Sequence, residues 1–258
     1  MTAKRSFLAA LLLTFVSCFP EAPPELPPVS TLQPQLAKLA EGPAEAREGS
    51  PATTQTNYAL AWSHVAWLYD LSSSYLRLPA EVVAQTEGVE PIERDGGWAW
   101  DVDLNAIQAT LTSSGGPSTY EMAMVVVDSF TGMSNQTWMT GTFDGGLDYG
   151  QWLLYGSETQ PEAEAAALVQ IDWTFYSETE LAIQIEDLRA ESDTAGHIAV
   201  ITVVDGAVRV EHHDQSGLLA VVEWNAESGE GVVEETFQPV RCWSQSFANT
   251  ACSAEYYF

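Results

Sequence analysis

The residues able to do chemistry are few and scattered. His212-His213 is the one adjacent histidine pair, with Glu211 before it and Asp214 after it. Successive residues on a strand face opposite sides of a sheet, so the pair cannot grip one metal ion from a regular strand. Only an irregular backbone near the 214–217 turn makes His212, His213 and Asp214 a divalent-metal candidate, and an exposed polar loop is the plainer reading. Asp144 and Asp148 bracket a tight Asp-Gly-Gly turn and carry hard oxygen ligands of the kind calcium takes. Neither they nor Asp101 and Asp103 match the spacing of a calcium loop, so the expectation is no metal site. His64 lies among apolar residues and reads as a hydrogen-bonded, partly buried side chain.

The motifs of enzymes are missing from the sequence. It contains no GxSxG, HExxH, P-loop or EF-hand pattern, and no cofactor fingerprint. Paired carboxylates of the glycosidase kind carry no information among 36 acidic residues. The expectation is a protein without cofactor or catalytic residues, with a hydrolase lacking a recognisable motif as the remote rival. Nine tryptophans stand out instead. Trp62, Trp67, Trp98, Trp100 and Trp173 are candidates to line a cavity for an apolar or sugar-like ligand. A solid core would use the same residues.

With 9 basic and 36 acidic residues the formal net charge is −27. Such a field repels phosphate backbones and excludes nucleic acid as a partner.

The first residues read as an address. Lys4 and Arg5 precede a ten-residue run, Phe7 to Val16, that is apolar except for Thr14. It is too short to span a bilayer as a helix and has the length of a signal-peptide core. The run ends in Phe15-Val16-Ser17-Cys18, which resembles the lipobox of bacterial lipoproteins, with Phe15 where leucine is usual. The resemblance covers about 20 residues. It implies cleavage before Cys18, acylation of that cysteine and attachment to a membrane of the cell envelope. Phe19, in place of the aspartate that retains such proteins at the inner membrane, implies the outer membrane; the alternative is ordinary secretion. The implied partner is the membrane itself; for the domain beyond, the expected partner is a small apolar ligand or another envelope protein.

Cys242 and Cys252 then remain as an even pair in an exported chain and are expected to form a structural disulfide. On the chain-entropy model, closing that eleven-residue loop stabilises the fold by roughly 2.8 kcal/mol.

Three regions follow: a signal peptide over 1–17, a Pro/Ala/Glu-rich tether over 18–55, and a helix plus antiparallel β domain over 56–258. The tether composition favours extended chain that packs no core, although Leu32–Leu39 has the makings of a short helix. Asn57–Leu78 carries apolar residues around most of a helix, leaving Ser63, Asp70, Ser73 and Arg77 as a polar stripe. Pro79 is expected to end that helix or to start a new turn. Beyond Gly96 the period is two, giving roughly ten strands joined by short loops. Asp205-Gly206 is the sharpest hairpin signal. With no helices between the strands, the fold class is mainly β: an up-and-down meander forming a barrel or half-barrel with one packed N-terminal helix. A two-sheet sandwich is the alternative.

Overall fold

The structure is a computed structural model that describes residues 22–105, 107–116, 118–128, 133–156 and 166–252. Cys18 and the aromatic C-terminal tripeptide lie outside the described residues. The chain is mainly β. Fourteen antiparallel strands form one sheet in which each strand pairs with the next in sequence. They are β1 (Ile92–Arg94), β2 (Gly97–Leu104), β3 (Ile107–Gly116), β4 (Thr119–Asp128), β5 (Met133–Phe143), β6 (Tyr149–Leu154) and β7 (Val169–Ser177). The second half comprises β8 (Glu180–Asp187), β9 (Ile198–Val204), β10 (Ala207–Asp214), β11 (Gly217–Asn225), β12 (Gly231–Glu235), β13 (Arg241–Trp243) and β14 (Asn249–Thr250). Among the described residues β14 does not pair with β1, so the sheet is not closed.

The period-two pattern sorts each strand into a core face and a wet face. In β7, Val169, Ile171 and Trp173 are buried while Gln170, Asp172 and Thr174 between them are not. The β9–β10 hairpin turns on Asp205 (φ 48°) and Gly206 (φ 82°), both in the left-handed region that a tight primed turn requires. β3 is the strand that periodicity missed. Its inner positions include Ala109 and Ser113, small residues that weaken the apolar signal where the helix lies against the strand.

Four short or long helical pieces precede the sheet: α1 (Ala37–Ala40), α2 (Ala44–Arg47), α3 (Thr56–Leu71) and α4 (Arg77–Gln85). A π turn over Ser72–Leu76 joins α3 to α4, so the helix runs on past Pro79. The wide turn restarts α-geometry at Arg77 and places Pro79 in the first turn of α4, where its missing N–H breaks no bond. Of the two expectations at Pro79, the new turn holds and the stop at Leu78 does not. The helix lies across the sheet, with α3 against β10 to β14 and α4 against β2 and β3. Its start is capped from a distance. The Asn249 side-chain oxygen accepts the Asn57 N–H at 2.9 Å, and the Asn57 amide donates to the Cys242 carbonyl at 2.8 Å.

The segment expected to be a tether packs on the domain along much of its length. Leu32, Leu36, Leu39 and Ala46 are buried in the core. Trp152 Nε1 donates to Thr31 Oγ1 at 3.2 Å, and Tyr58 Oη donates to the Leu39 carbonyl at 2.8 Å. Composition hid this, because the packing is done by single leucines, Leu32 closing a 3-10 turn and Leu39 within α1, inside a Pro- and Glu-rich stretch. The disulfide expectation holds: Cys242 and Cys252 are bonded, with Cα atoms 5.2 Å apart.

Register places tryptophan opposite glycine twice in the middle of the sheet: Trp152 pairs with Gly141, and Trp173 with Gly150. Each indole lies over the glycine, in the space a Cβ would take. Gly150→Ala is therefore expected to lower the unfolding free energy by about 1–3 kcal/mol, an overpacking cost that urea denaturation reads. Gly116→Ala, with open space around it, is the matched control and should stay within ~0.5 kcal/mol of the parent.

Candidate functional site: a histidine chain and an acidic groove

Three of the four histidines meet at one place, drawn from distant parts of the sequence. His64 comes from α3, His212 from β10 and His197 from the turn before β9. His64 Nδ1 and His212 Nδ1 are 3.3 Å apart, and His212 Nε2 is 3.0 Å from His197 Nδ1. His64 Nε2 lies 3.3 Å from Glu235 Oε1. The rings of His197 and His212 pack on Trp67, whose Nε1 donates to the His64 carbonyl at 3.0 Å.

The carboxylate fixes the direction of this chain. Glu235 only accepts, so His64 must donate from Nε2 and accept at Nδ1. His212 then donates from Nδ1 and accepts at Nε2 from the Nδ1–H of His197. Donors and acceptors then alternate without a break from His197 to Glu235. Burial, then the neighbouring His197 and His64, push His212 down to about 4, in keeping with a neutral ring at the centre.

His212 and His213 point apart, as strand geometry requires. His212 is buried, while His213 lies 3.4 Å from Glu211 Oε2 on the other face. A register shift falls between the two in their pairing with β11, yet it does not bring them together. Asp214 turns its carboxylate back onto Ser216 of its own tight turn. Asp144 spends both oxygens on backbone N–H groups, Gly146 at 3.0 Å and Tyr149 at 2.9 Å, and so acts as the clasp of the β5–β6 hairpin. Among the described residues no three His, Cys, Asp or Glu side chains are placed to hold a metal ion. Because His212 uses a different nitrogen for each neighbour, the histidines form a line and not a ring of ligands.

The tryptophan candidates do not converge on one cavity. Trp62 packs against Tyr69 with Arg47 over its ring, and Trp67 serves the histidine chain. Trp173 is buried against Phe175, and Trp98 packs at the edge of the core. Only Trp100 lines a groove, an open cleft of about 760 Å³. Residues 23–29 form one wall and the end of the helix another. The β5–β6 turn and the start of the β7–β8 turn complete it. Its rim carries Glu25, Glu87, Asp148 and Glu178, and no Lys, Arg or His lines it.

Sequence reasoning passed over Asp187, a fully buried carboxylate at the end of β8. Its Oδ1 accepts from Arg189 N (3.0 Å) and Nε (2.8 Å). Its Oδ2 accepts from Arg189 Nη2 (2.6 Å), Thr194 Oγ1 (2.6 Å) and Ser192 Oγ (3.2 Å). Burial alone would raise the acid. The hydrogen bonds from Arg189 and Thr194 outweigh it and hold Asp187 below its ordinary value. The Arg189 guanidinium also lies over the Tyr75 ring, which ties the β8–β9 loop to the π turn. The recurring signal was short-range: an Asp with Arg two residues on and Ser and Thr five and seven on, a turn-forming set.

No protein-family model matches this chain, and none of the curated proteins or solved structures compared with it does so either.

Proposed function

We propose that this is an exported protein held by a lipid on Cys18 at the outer membrane of the cell envelope. Its β domain curls as a half-barrel around the helix and acts by binding rather than by catalysis. The Cys242–Cys252 bond carries the proposal. A closed disulfide suits an oxidising compartment outside the cytosol. It also leaves Cys18 as the one unpaired cysteine, at the foot of the signal-like run. The tryptophans fill the interior rather than an internal chamber, so the binding surface is the rim groove lined by Trp100. The histidine chain supports a structural role more than a catalytic one, because among the described residues no serine or cysteine nucleophile shares its hydrogen bonds.

Intact-mass analysis of the membrane fraction tests the anchor. The expected product starts at Cys18 and carries acyl groups, and Cys18→Ser moves the protein out of that fraction. A soluble wild-type product that keeps a free Cys18 thiol would overturn the reading.

A further inference from the structure

We infer that the rim groove binds an amphiphilic organic cation, an ammonium head on an apolar body. The volume, about 760 Å³, falls in the range of small-molecule sites. The floor and walls are largely apolar, from Leu26, Val83 and Val89 to Trp100, Phe175 and Leu147. Tyr176, 66% exposed, stands on the rim and offers its ring to an occupant.

Charge selects the occupant. Glu25, Glu87, Asp148 and Glu178 are all exposed. None of them pairs with a basic side chain among the described residues. Four of the described cations are held elsewhere by acids: Lys38 by Glu41, Arg94 by Asp101, Arg189 by Asp187, and Arg209 by Glu211 and Glu223, while Arg47 lies over the Trp62 ring. An anionic amphiphile would meet repulsion at the rim, whereas a cation gains from the carboxylates and from the exposed ring of Tyr176. The wall also argues against a peptide laid in as an added strand. Pro23, Pro24, Pro27 and Pro28 have no N–H to offer a ladder, so recognition rests on apolar contact and charge.

The inference deepens the binding reading, and the test separates the two. Calorimetric titration uses the full Cys18→Ser chain, so its outcome does not depend on the anchor. The probes are decyltrimethylammonium, decyl sulfate and decyl maltoside, each below its micelle-forming concentration. The cation should bind one per chain, at least tenfold more tightly than the other two, and more weakly as salt rises. Combining Glu87→Gln, Asp148→Asn and Glu178→Gln should cost at least tenfold in affinity for the cation. Glu121→Gln, Glu227→Gln and Glu234→Gln together remove the same charge elsewhere and should change it less than twofold. Circular dichroism checks that both variants fold. Equal binding of all three probes overturns the cation and leaves a binding groove. Equal losses in the two triple variants overturn it as a bulk charge effect. No binding of any probe overturns both readings.

Discussion

Replacing Asp187 with alanine is expected to lower the stability of the domain by about 3–5 kcal/mol, the cost of removing one partner of a buried ion pair. The carboxylate is wholly enclosed and accepts five hydrogen bonds, three of them from Arg189. Its loss leaves a guanidinium whose side chain is only 27% exposed facing an empty cage. The damage extends beyond one pair. The Asp187 backbone N–H donates to the His197 carbonyl at 3.0 Å, and Gly196 N–H donates to the Asp187 carbonyl at 2.7 Å. The same loop therefore carries His197 into the histidine chain. Asp187→Asn keeps the shape and one acceptor oxygen, and it should fall between alanine and the parent. Urea unfolding followed by circular dichroism gives all three values. A loss below about 1 kcal/mol for alanine would show that the cage is not a stabilising element.

Acid should weaken the fold through His212 before it touches the carboxylates. Its folded value of about 4 lies below the ordinary 6.5 of the unfolded chain. As pH falls through 6.5 the unfolded state takes up the proton first, so stability is full above 6.5 and drains away between 6.5 and 4. The whole window is worth about 3 kcal/mol. The titratable groups whose charge acts on the ring are His197, His64, Asp214 and His213, and Trp67 covers it. His64 passes the contact on to Glu235. A His212→Gln variant should start less stable at pH 7, yet lose markedly less between pH 7 and 4.5. Parallel losses in parent and variant would assign the acid sensitivity to other groups. Asp187 acts in a lower window. Its depressed value adds stability that is present above 3.8 and lost as pH falls below it, so the two contributions separate along one titration.

Much of the architecture could be read before the structure. Ser63, Asp70, Ser73 and Arg77 do form the wet stripe of an otherwise buried helix. Asp205-Gly206 does make the tight hairpin, because only residues tolerant of positive φ fit there. Local chemistry of this kind is written in adjacent letters. What escaped was either diluted or long-range. Ala109 and Ser113 blur β3, since a strand pressed by a helix needs small inner residues. Pro79 read equally as a stop or as a new turn, because the widened π turn that decides for the new turn has no signature in composition. The histidine chain joins positions 64, 197 and 212, and nothing in sequence spacing links them. The visible pair, His212-His213, was the wrong one, for the sheet sends its members to opposite faces. The groove is assembled from five separate segments, and its charge was invisible among so many acids.

The packed N-terminal segment sets a leash length. Pro24 and Pro27 are buried and Thr31 is bonded to Trp152, so the domain takes hold of its own chain from about residue 24. An anchor at Cys18 leaves six residues of slack, at most ~20 Å even when drawn straight. Under the proposed anchor the domain would ride at the surface of the bilayer instead of swinging far above it. Because residues 23–29 form a wall of the groove, its open mouth would then stay within reach of the headgroups. A cationic amphiphile in that leaflet would have only a short step to make.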